Sequence, residues 1–300
     1  MRRRPLLVAC GIAVVAALGV VAAVALGSGG GGSVTPRYAV ATGGLQRLDP
    51  GADGVPATVA GATDATIADA ATAASPGASM LAGKVVAIDP GHNGGNGSHP
   101  SQINRLVDIG NGRKACDTAG AETASGYAES AYTLDVGRWV QRILKQEGAK
   151  VVMTRTTDDG VGPCINVRAE IGNRAHADAA VSIHADGGPT SGRGFHVIYP
   201  TPLRGLTAAI ARPSRRLAVD LRGAYEQGTG MPRADYVGHD GLDERSDLGG
   251  LNLSKVPKVF IETGNMNNAT DAAKLTDARF RERTAKAIAA GIARFVEESG

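Results

Sequence analysis

The sequence predicts a single α/β domain with a mainly parallel mixed sheet that is covered by helices on both faces. Short runs of apolar, often β-branched residues alternate along the chain with longer segments whose apolar residues recur at helical spacing. Such alternation is typical of parallel strands joined by helices. The short runs are continuously apolar, as expected for strands buried on both faces. The pattern extends over residues 84–298, which we interpret as one domain.

The first strand is predicted at 85–88, where the turn-forming sequence Asp89-Pro90-Gly91 ends it. The first long helix is predicted over 126–147, because its apolar residues share one face and Gly148 follows it. The same two patterns predict the remaining elements: strands at 151–153, 179–183, 195–199 and 259–261, and helices at 165–176, 213–227 and 271–297.

The N-terminal segment has the composition of an export signal. Arginines at positions 2–4 precede an uncharged, mostly apolar run from Leu6 to Gly27. As a helix this run of about 22 residues would be roughly 33 Å long, so residues 1–27 are either a signal peptide or an N-terminal membrane anchor. In both cases the arginines stay inside. The rest of the chain is then expected on the cell-wall side of the cytoplasmic membrane, secreted or anchored.

Residues 28–80 are predicted to be a flexible linker. The segment is rich in glycine, alanine and threonine and has few large apolar residues. Such a composition buries too little apolar surface to offset the entropy of ordering the chain.

The charge balance argues against one class of partner. The chain has 32 basic and 29 acidic residues, a net charge of +3, without a basic stripe that aromatic residues interrupt. We therefore expect no binding to nucleic acid.

Cys116 and Cys164 are the cysteines that follow the N-terminal segment. Disulfides persist outside the cytoplasm, so we predict a bond between them in preference to two free thiols. The bond would close a loop of about 48 residues and contribute on the order of 4 kcal/mol. Because no Cys-x-x-Cys pair occurs, a zinc site built from cysteines is not expected.

Three polar residues follow predicted strands at equivalent places. His92 comes after the strand at 85–88, His184 after 179–183, and Glu262 after 259–261. Ligands of α/β sheets bind beyond the carboxyl ends of the strands. We therefore expect these three side chains at one shared edge.

A fourth polar group comes from the first long helix. Glu129 lies on the face that also carries Tyr132 and Val136, and a carboxylate directed at an apolar layer is costly unless it is paired or binds a metal. Glu122 is the competing candidate, but it is expected in the loop before the helix. We favour Glu129.

Two histidines and one glutamate form the three-ligand set of a catalytic zinc, with a fourth position left for water. We predict that His92, Glu129 and His184 bind one Zn²⁺ per chain. Glu262 is then left as the general base that hydrolysis of an amide requires.

Each residue also has a structural alternative. His92 could be an ordinary loop residue in a glycine-rich turn, and His184 could be a core histidine that backbone groups satisfy. Glu129 could be a first-turn glutamate that the helix dipole favours, and Glu262 could form an ion pair with Lys258. The joint occurrence of all four favours the metal site. Structural or surface roles are expected for the other four histidines, His99, His176, His196 and His239. Of these, His99 and His239 lie in predicted loops, where contact with a substrate is conceivable.

The motifs around these residues resemble those of the zinc-dependent N-acetylmuramoyl-L-alanine amidases. They occur in the family's order: VAIDPGH at 86–92, the helix with Glu129, TR at 154–155, R-x-x-x-x-N at 168–173, ADAAVSIH at 177–184 and PKVFIETG at 257–264. The resemblance implies zinc bound by His92, Glu129 and His184, with Glu262 as the catalytic glutamate. The long segment before Glu129, which contains Cys116, is similar to the actinobacterial branch.

The resemblance also implies a substrate. The expected reaction is hydrolysis of the amide between N-acetylmuramic acid and L-alanine, in peptidoglycan or soluble muropeptides, by a monomer. Two alternatives stay open: a peptidoglycan-binding protein without turnover, and an exported zinc peptidase that cuts within the stem peptide.

Overall fold

The computed structural model describes residues 80–299 of the chain. The predicted signal peptide or anchor at 1–27 lies outside this part, as does nearly all of the predicted linker at 28–80. Between residues 80 and 299, no helix is both long enough and apolar enough to span a membrane.

The strands are β1 (Val85–Pro90), β2 (Leu106–Asp108), β3 (Arg113–Ala115), β4 (Lys150–Met153), β5 (Ala179–Asp186), β6 (His196–Pro200), β7 (Leu242–Arg245) and β8 (Lys258–Asn265).

The helices complete an α/β arrangement, and the predicted fold class is confirmed. They are α1 (Pro100–Ile103), α2 (Glu129–Gln146), α3 (Ile165–Arg174), α4 (Ala211–Thr229), α5 (Gly249–Asn252), α6 (Ala269–Leu275) and α7 (Ala278–Glu297).

Six strands form the main sheet in the order β4-β1-β5-β8-β6-β7. All neighbours are parallel except β6 and β8, which are antiparallel. The short strands β2 and β3 form a separate antiparallel hairpin between β1 and α2. The carboxyl ends of β1, β5 and β8 therefore meet at one edge of the main sheet.

The two faces of the main sheet differ in polarity. One face packs against α2, α4 and α7 and forms the large apolar core, with Ile88, Val181 and Ile261 all fully buried. The other face is covered by α3, where a Cβ atom placed on Gly172 would lie 3.5 Å from Cβ of Ala87. This second face also carries the polar side chains that β5 and β8 contribute to the functional site.

A buried ionic cluster lies below the edge on that second face. Arg168 donates a hydrogen bond to Asp89 at 2.9 Å, and Nζ of Lys258 lies 3.2 Å from the same carboxylate. The hydroxyls of Thr154 and Ser182 each donate to it at 2.6 Å. Burial alone would raise the pKa of Asp89, but Lys258 and Arg168 outweigh burial and hold its pKa well below the usual value. Asp89 is therefore a buried, fully partnered carboxylate.

The structure differs from the predicted elements in the bounds of two helices and in several short elements. The helix predicted from residue 126 begins at Glu129, and the helix predicted at 271–297 is two helices. The side chain of Asp277 accepts a hydrogen bond from the amide of Phe280 and so caps a new helix there. The edge strand β7, the hairpin and the short helices α1 and α5 were not predicted.

The disulfide between Cys116 and Cys164 is present, as predicted. It joins the end of the hairpin to the start of α3, and both cysteines pack with Val107. The bond therefore attaches the loop that follows β3 to the layer that covers the polar face of the sheet.

Candidate metal centre

His92, Glu129 and His184 form one cluster at the carboxyl edge of the sheet. One potential ligand atom from each residue lies within 4.8 Å of the other two. His92 follows β1, Glu129 is the first residue of α2, and His184 is on β5. The predicted convergence of these residues is thus seen in the structure.

Backbone amides fix the carboxylate of Glu129. The amide of Ala121 donates to Oε2 at 2.8 Å, and the amide of Ala185 donates to Oε1 at 3.1 Å. The same two oxygens face the imidazoles, with Oε2 3.2 Å from Nε2 of His92 and Oε1 2.9 Å from Nδ1 of His184. Burial would raise the pKa of Glu129, but the two imidazoles reverse this and lower it strongly. The carboxylate is therefore a fixed negative charge.

The orientation of His92 is set by its loop. Its backbone has φ of 57°, a conformation that few non-glycine residues adopt. Nδ1 lies 3.1 Å from the carbonyl oxygen of Thr118 and 3.4 Å from Oδ1 of Asp117. Because a carbonyl oxygen only accepts, Nδ1 carries the proton and Nε2 is left to bind a metal. Asp117 is fixed in turn by Arg168, whose guanidinium lies 2.9 Å from its carboxylate. Histidines that bind metals commonly have such a hydrogen-bonded partner on the other ring nitrogen.

The charges of the cluster favour a cation. Burial lowers the pKa of His92, yet Glu129 and Asp117 together outweigh it and raise this pKa to about 10. A divalent metal ion would supply positive charge in place of that proton, between the two imidazoles and the carboxylate.

Two glycines leave the space that the cluster needs. A Cβ atom on Gly91 would lie 2.2 Å from the ring of His184. A Cβ atom on Gly120, whose φ is +85°, would lie 2.9 Å from the ring of His92 and 3.0 Å from Oε2 of Glu129. Glycine is required at both positions because any side chain would enter the cluster.

Glu262 lies beside the cluster but is not one of its three members. On the sheet it is opposite His184 of β5 on one side and His196 of β6 on the other. Its Oε2 is buried and has no hydrogen-bond partner within residues 80–299. Burial, together with the negative charges of Glu129 and Asp186, raises the pKa of Glu262 well above its usual value. A carboxyl with a raised pKa and one buried oxygen that lacks a partner is suited to accept and return a proton.

The cluster opens into a surface groove of about 580 Å³. We call this cavity the groove. It is lined by the three cluster residues and Glu262, and also by Thr118, Gly120, Ala121, Glu122, Asp186, Gly187, Ile198, Arg245, Leu248, Phe260 and Asn267.

The alternative ligand Glu122 is exposed and does not belong to the cluster. His184 and Glu262 lie within longer strands, β5 and β8, rather than directly after them. Of the remaining histidines, His196 is buried in β6 beside Glu262, whereas the other three do not line the groove: His99, His176 and His239.

Sequence reasoning missed the groups that orient the cluster. Asp117 and Thr118 have no recognisable signal in the sequence, because their positions next to His92 depend on the path of the loop after β3. The amides of Ala121 and Ala185 that hold Glu129 are backbone groups, which the residue types do not reveal.

The donor set fits zinc. Two imidazole nitrogens and one carboxylate, with an open side towards the groove, are the ligands typical of catalytic zinc sites. Together with the adjacent carboxyl of Glu262, this is the arrangement expected of a metal-dependent hydrolase in an α/β fold.

Comparisons with known proteins define the family. The family model described as N-acetylmuramoyl-L-alanine amidase matches residues 86–294. The chain is 43% identical over 221 residues to N-acetylmuramoyl-L-alanine amidase Rv3717 of Mycobacterium tuberculosis, covering 73% of this chain and 89% of that protein. The chain therefore belongs to the N-acetylmuramoyl-L-alanine amidase family and is a peptidoglycan amidase.

Solved structures agree with this assignment. The crystal structure of the amidase Ami1 from Mycobacterium smegmatis matches with a TM-score of 0.68 and 41% identity, over 73% of this chain and 99% of that chain. The apo form of Ami1 from Mycobacterium abscessus matches with a TM-score of 0.67 and 44% identity, over 72% and 99% of the two chains. Both relatives are actinobacterial, as the sequence motifs predict.

Proposed function

We propose that this protein uses one zinc ion to hydrolyse the amide bond between N-acetylmuramic acid and L-alanine of the peptidoglycan stem peptide. Its role would be cell-wall remodelling or turnover. The observation that supports zinc most directly is the convergence of His92, Glu129 and His184, whose ligand atoms lie within 4.8 Å of one another.

In this proposal the chain positions the reacting groups before the substrate arrives. Zinc in such sites polarises a carbonyl group and lowers the pKa of a water molecule to about 7. Glu129 keeps its orientation through the amides of Ala121 and Ala185, and His92 keeps its orientation through Thr118 and Asp117.

Glu262 moves the proton. Its Oε2 has no hydrogen-bond partner in the described residues, and its carboxyl lines the groove beside the three ligands. Glu262 accepts the proton that the attacking water loses and returns it to the leaving amine of L-alanine. A protein that only binds peptidoglycan has no need of such a carboxyl, which argues against the non-catalytic alternative.

The site of action follows from the N-terminal sequence. We propose that residues 1–27 direct export and either are removed or remain as a membrane anchor, so that the enzyme reaches peptidoglycan outside the cytoplasm. Comparing the N-terminal residue of the mature protein with the full sequence would separate these two outcomes.

Product analysis tests the scissile bond. The purified protein is depleted of metal with a chelator, supplied with zinc and incubated with a muropeptide. We expect activity only after zinc is restored, with release of an intact stem peptide that has a free L-alanine amino terminus. Cleavage inside the stem peptide would support the zinc peptidase instead, and full activity without metal would contradict the zinc proposal.

A further inference from the structure

A second cavity opens from the groove beneath the metal cluster. We call it the side pocket and define it by Ala115 of β3, Ile165 of α3, Leu248 before α5 and Phe260 of β8, with His92 and His184 at its mouth. Its volume is about 290 Å³. This is at the lower end for small-molecule sites, so the side pocket has room for one substituent of a substrate and not for a whole glycopeptide.

The walls of the side pocket are suited to a neutral, partly apolar group. The ring of Phe260 stacks on that of His184, with 5.2 Å between the ring centres, and forms one wall. The charged groups at its base are paired with each other, because Arg168 donates to both Asp89 and Asp117 at 2.9 Å. At the hairpin, Lys114 is paired with Asp247 at 2.7 Å. Within residues 80–299 the charged side chains at the base and at the hairpin are thus paired, and they do not offer a free charge to an ionised substituent.

The position of the side pocket assigns it to one half of the substrate. Five residues line both cavities: His92, Thr118, His184, Leu248 and Phe260. Glu262 and Arg245 line the groove alone. Because Glu262 gives its proton to the leaving amine, the peptide half lies towards Glu262 and Arg245, in the part of the groove that the side pocket does not share. The acyl half, which carries the sugar, then lies on the side of His92 and the side pocket.

We propose that the side pocket binds the N-acetyl group of the muramoyl sugar and so selects N-acetylated substrates. This inference rests on the proposed function. The acetamido group is neutral, carries a methyl group and is attached to the sugar carbon next to the one that bears the lactyl ether. It is therefore a substituent close to the scissile carbonyl that the side pocket can take up. An amine at the same place would bring an unpaired charge to an apolar wall, which is unfavourable.

The test compares two muramoyl peptides that differ only in the N-acetyl group, one acetylated and one with a free amine. For the parent protein we expect a kcat/KM at least about tenfold higher for the acetylated substrate. Ala115→Leu places a larger side chain in the side pocket and should reduce this ratio to below about threefold, mainly through a higher KM for the acetylated substrate. Ala124→Leu is the matched control, because Ala124 is exposed and lines neither cavity.

A second variant covers the case in which Ala115→Leu does not fold. Leu248→Ala enlarges the side pocket and should improve hydrolysis of an N-propionyl substrate relative to the N-acetyl substrate. Equal hydrolysis of the acetylated and free-amine substrates by the parent would overturn the inference, as would an unchanged ratio in folded Ala115→Leu. If the zinc-loaded parent hydrolyses neither substrate, the proposed function itself fails, and this outcome is distinct from a loss of preference.

Discussion

Gly91 and the ring of His184 are so close that no side chain fits between them. A Cβ atom on Gly91 would lie 2.2 Å from Cε1, 2.5 Å from Nδ1 and 2.6 Å from Nε2 of His184. The position of this imidazole in the cluster therefore depends on a glycine in the turn after β1, as well as on its own strand.

Gly91→Ala should displace the His184 ring and with it one ligand of the cluster. We expect zinc affinity to fall and hydrolysis to drop by about 10²-fold, as for other displacements of about 1 Å at active sites. Zinc titration and muropeptide hydrolysis measure the two effects. Gly97→Ala is the matched control, because the nearest atom to its new Cβ is 3.8 Å away. Full zinc binding by Gly91→Ala would show that the ring has another stable position.

Asp117 is predicted to support metal binding without being a ligand. Its carboxylate lies 3.4 Å from Nδ1 of His92 and is held by Arg168. Asp117→Asn should weaken zinc affinity by about 10–100-fold, the usual effect of removing an outer-shell partner. Competition with a zinc chelator measures the change. Asp108→Asn, on the exposed part of the hairpin, should leave the affinity unchanged, and an equal loss in both variants would contradict the role of Asp117.

Asp89 should make the stability of the domain sensitive to acid. Its pKa is about 3.9 in an unfolded chain and lies well below the usual value in the folded protein, where Lys258 and Arg168 surround it. The stabilisation that results is complete above pH ~4 and is lost as the pH falls through the folded pKa. Denaturant unfolding of metal-free protein between pH 2 and 7 measures this loss.

Asp89→Asn tests the origin of that dependence. Removing one partner of a buried ion pair should lower the free energy of unfolding at pH 7 by about 3–5 kcal/mol. The substitution should also make the free energy of unfolding depend less on pH below pH 4. Asp159→Asn, at an exposed position, is the control and should change stability by less than about 0.5 kcal/mol. A curve for Asp89→Asn with the parent's slope would mean that other carboxylates cause the acid sensitivity.

The disulfide between Cys116 and Cys164 should stabilise the domain because it lowers the conformational entropy of the unfolded chain. The bond closes a loop across a sequence separation of 48 residues. The loop-entropy relation gives about 4 kcal/mol for a loop of this length. Unfolding of the Cys116→Ala/Cys164→Ala double variant, compared with the oxidised parent, measures the difference. A change below about 1 kcal/mol would show that the reduced chain keeps the loop closed by other contacts.

Much of this fold follows from local patterns. The apolar runs that became β1, β5 and β8 are buried on both faces, and this is why they were recognisable without any knowledge of their neighbours. The edge strand β7 was missed because its side chains are partly exposed and largely charged. The break between α6 and α7 depends on a single cap by Asp277, which a continuous helical pattern conceals.

The candidate site was predictable where residue type alone carries the chemistry. Histidines and glutamates after buried strands indicated His92, His184 and Glu262, and the apolar face of α2 indicated Glu129. The order of strands in the sheet was not predictable, and it is this order that places Glu262 between His184 and His196. The side pocket could not be predicted from the sequence either, because its walls come from β3, α3, α5 and β8, which are far apart along the chain.

In the proposed mechanism His92, Glu129 and His184 hold zinc while Glu262 transfers the proton. The most direct test measures zinc content and muropeptide hydrolysis in Glu262→Gln, with Glu122→Gln as the matched control from the same groove. We predict about one zinc per chain in both variants, and a rate that falls about 10²- to 10⁴-fold in Glu262→Gln alone. Loss of zinc from Glu262→Gln would mean that Glu262 is itself a ligand, and a rate equal to that of the parent would mean that Glu262 does not transfer the proton.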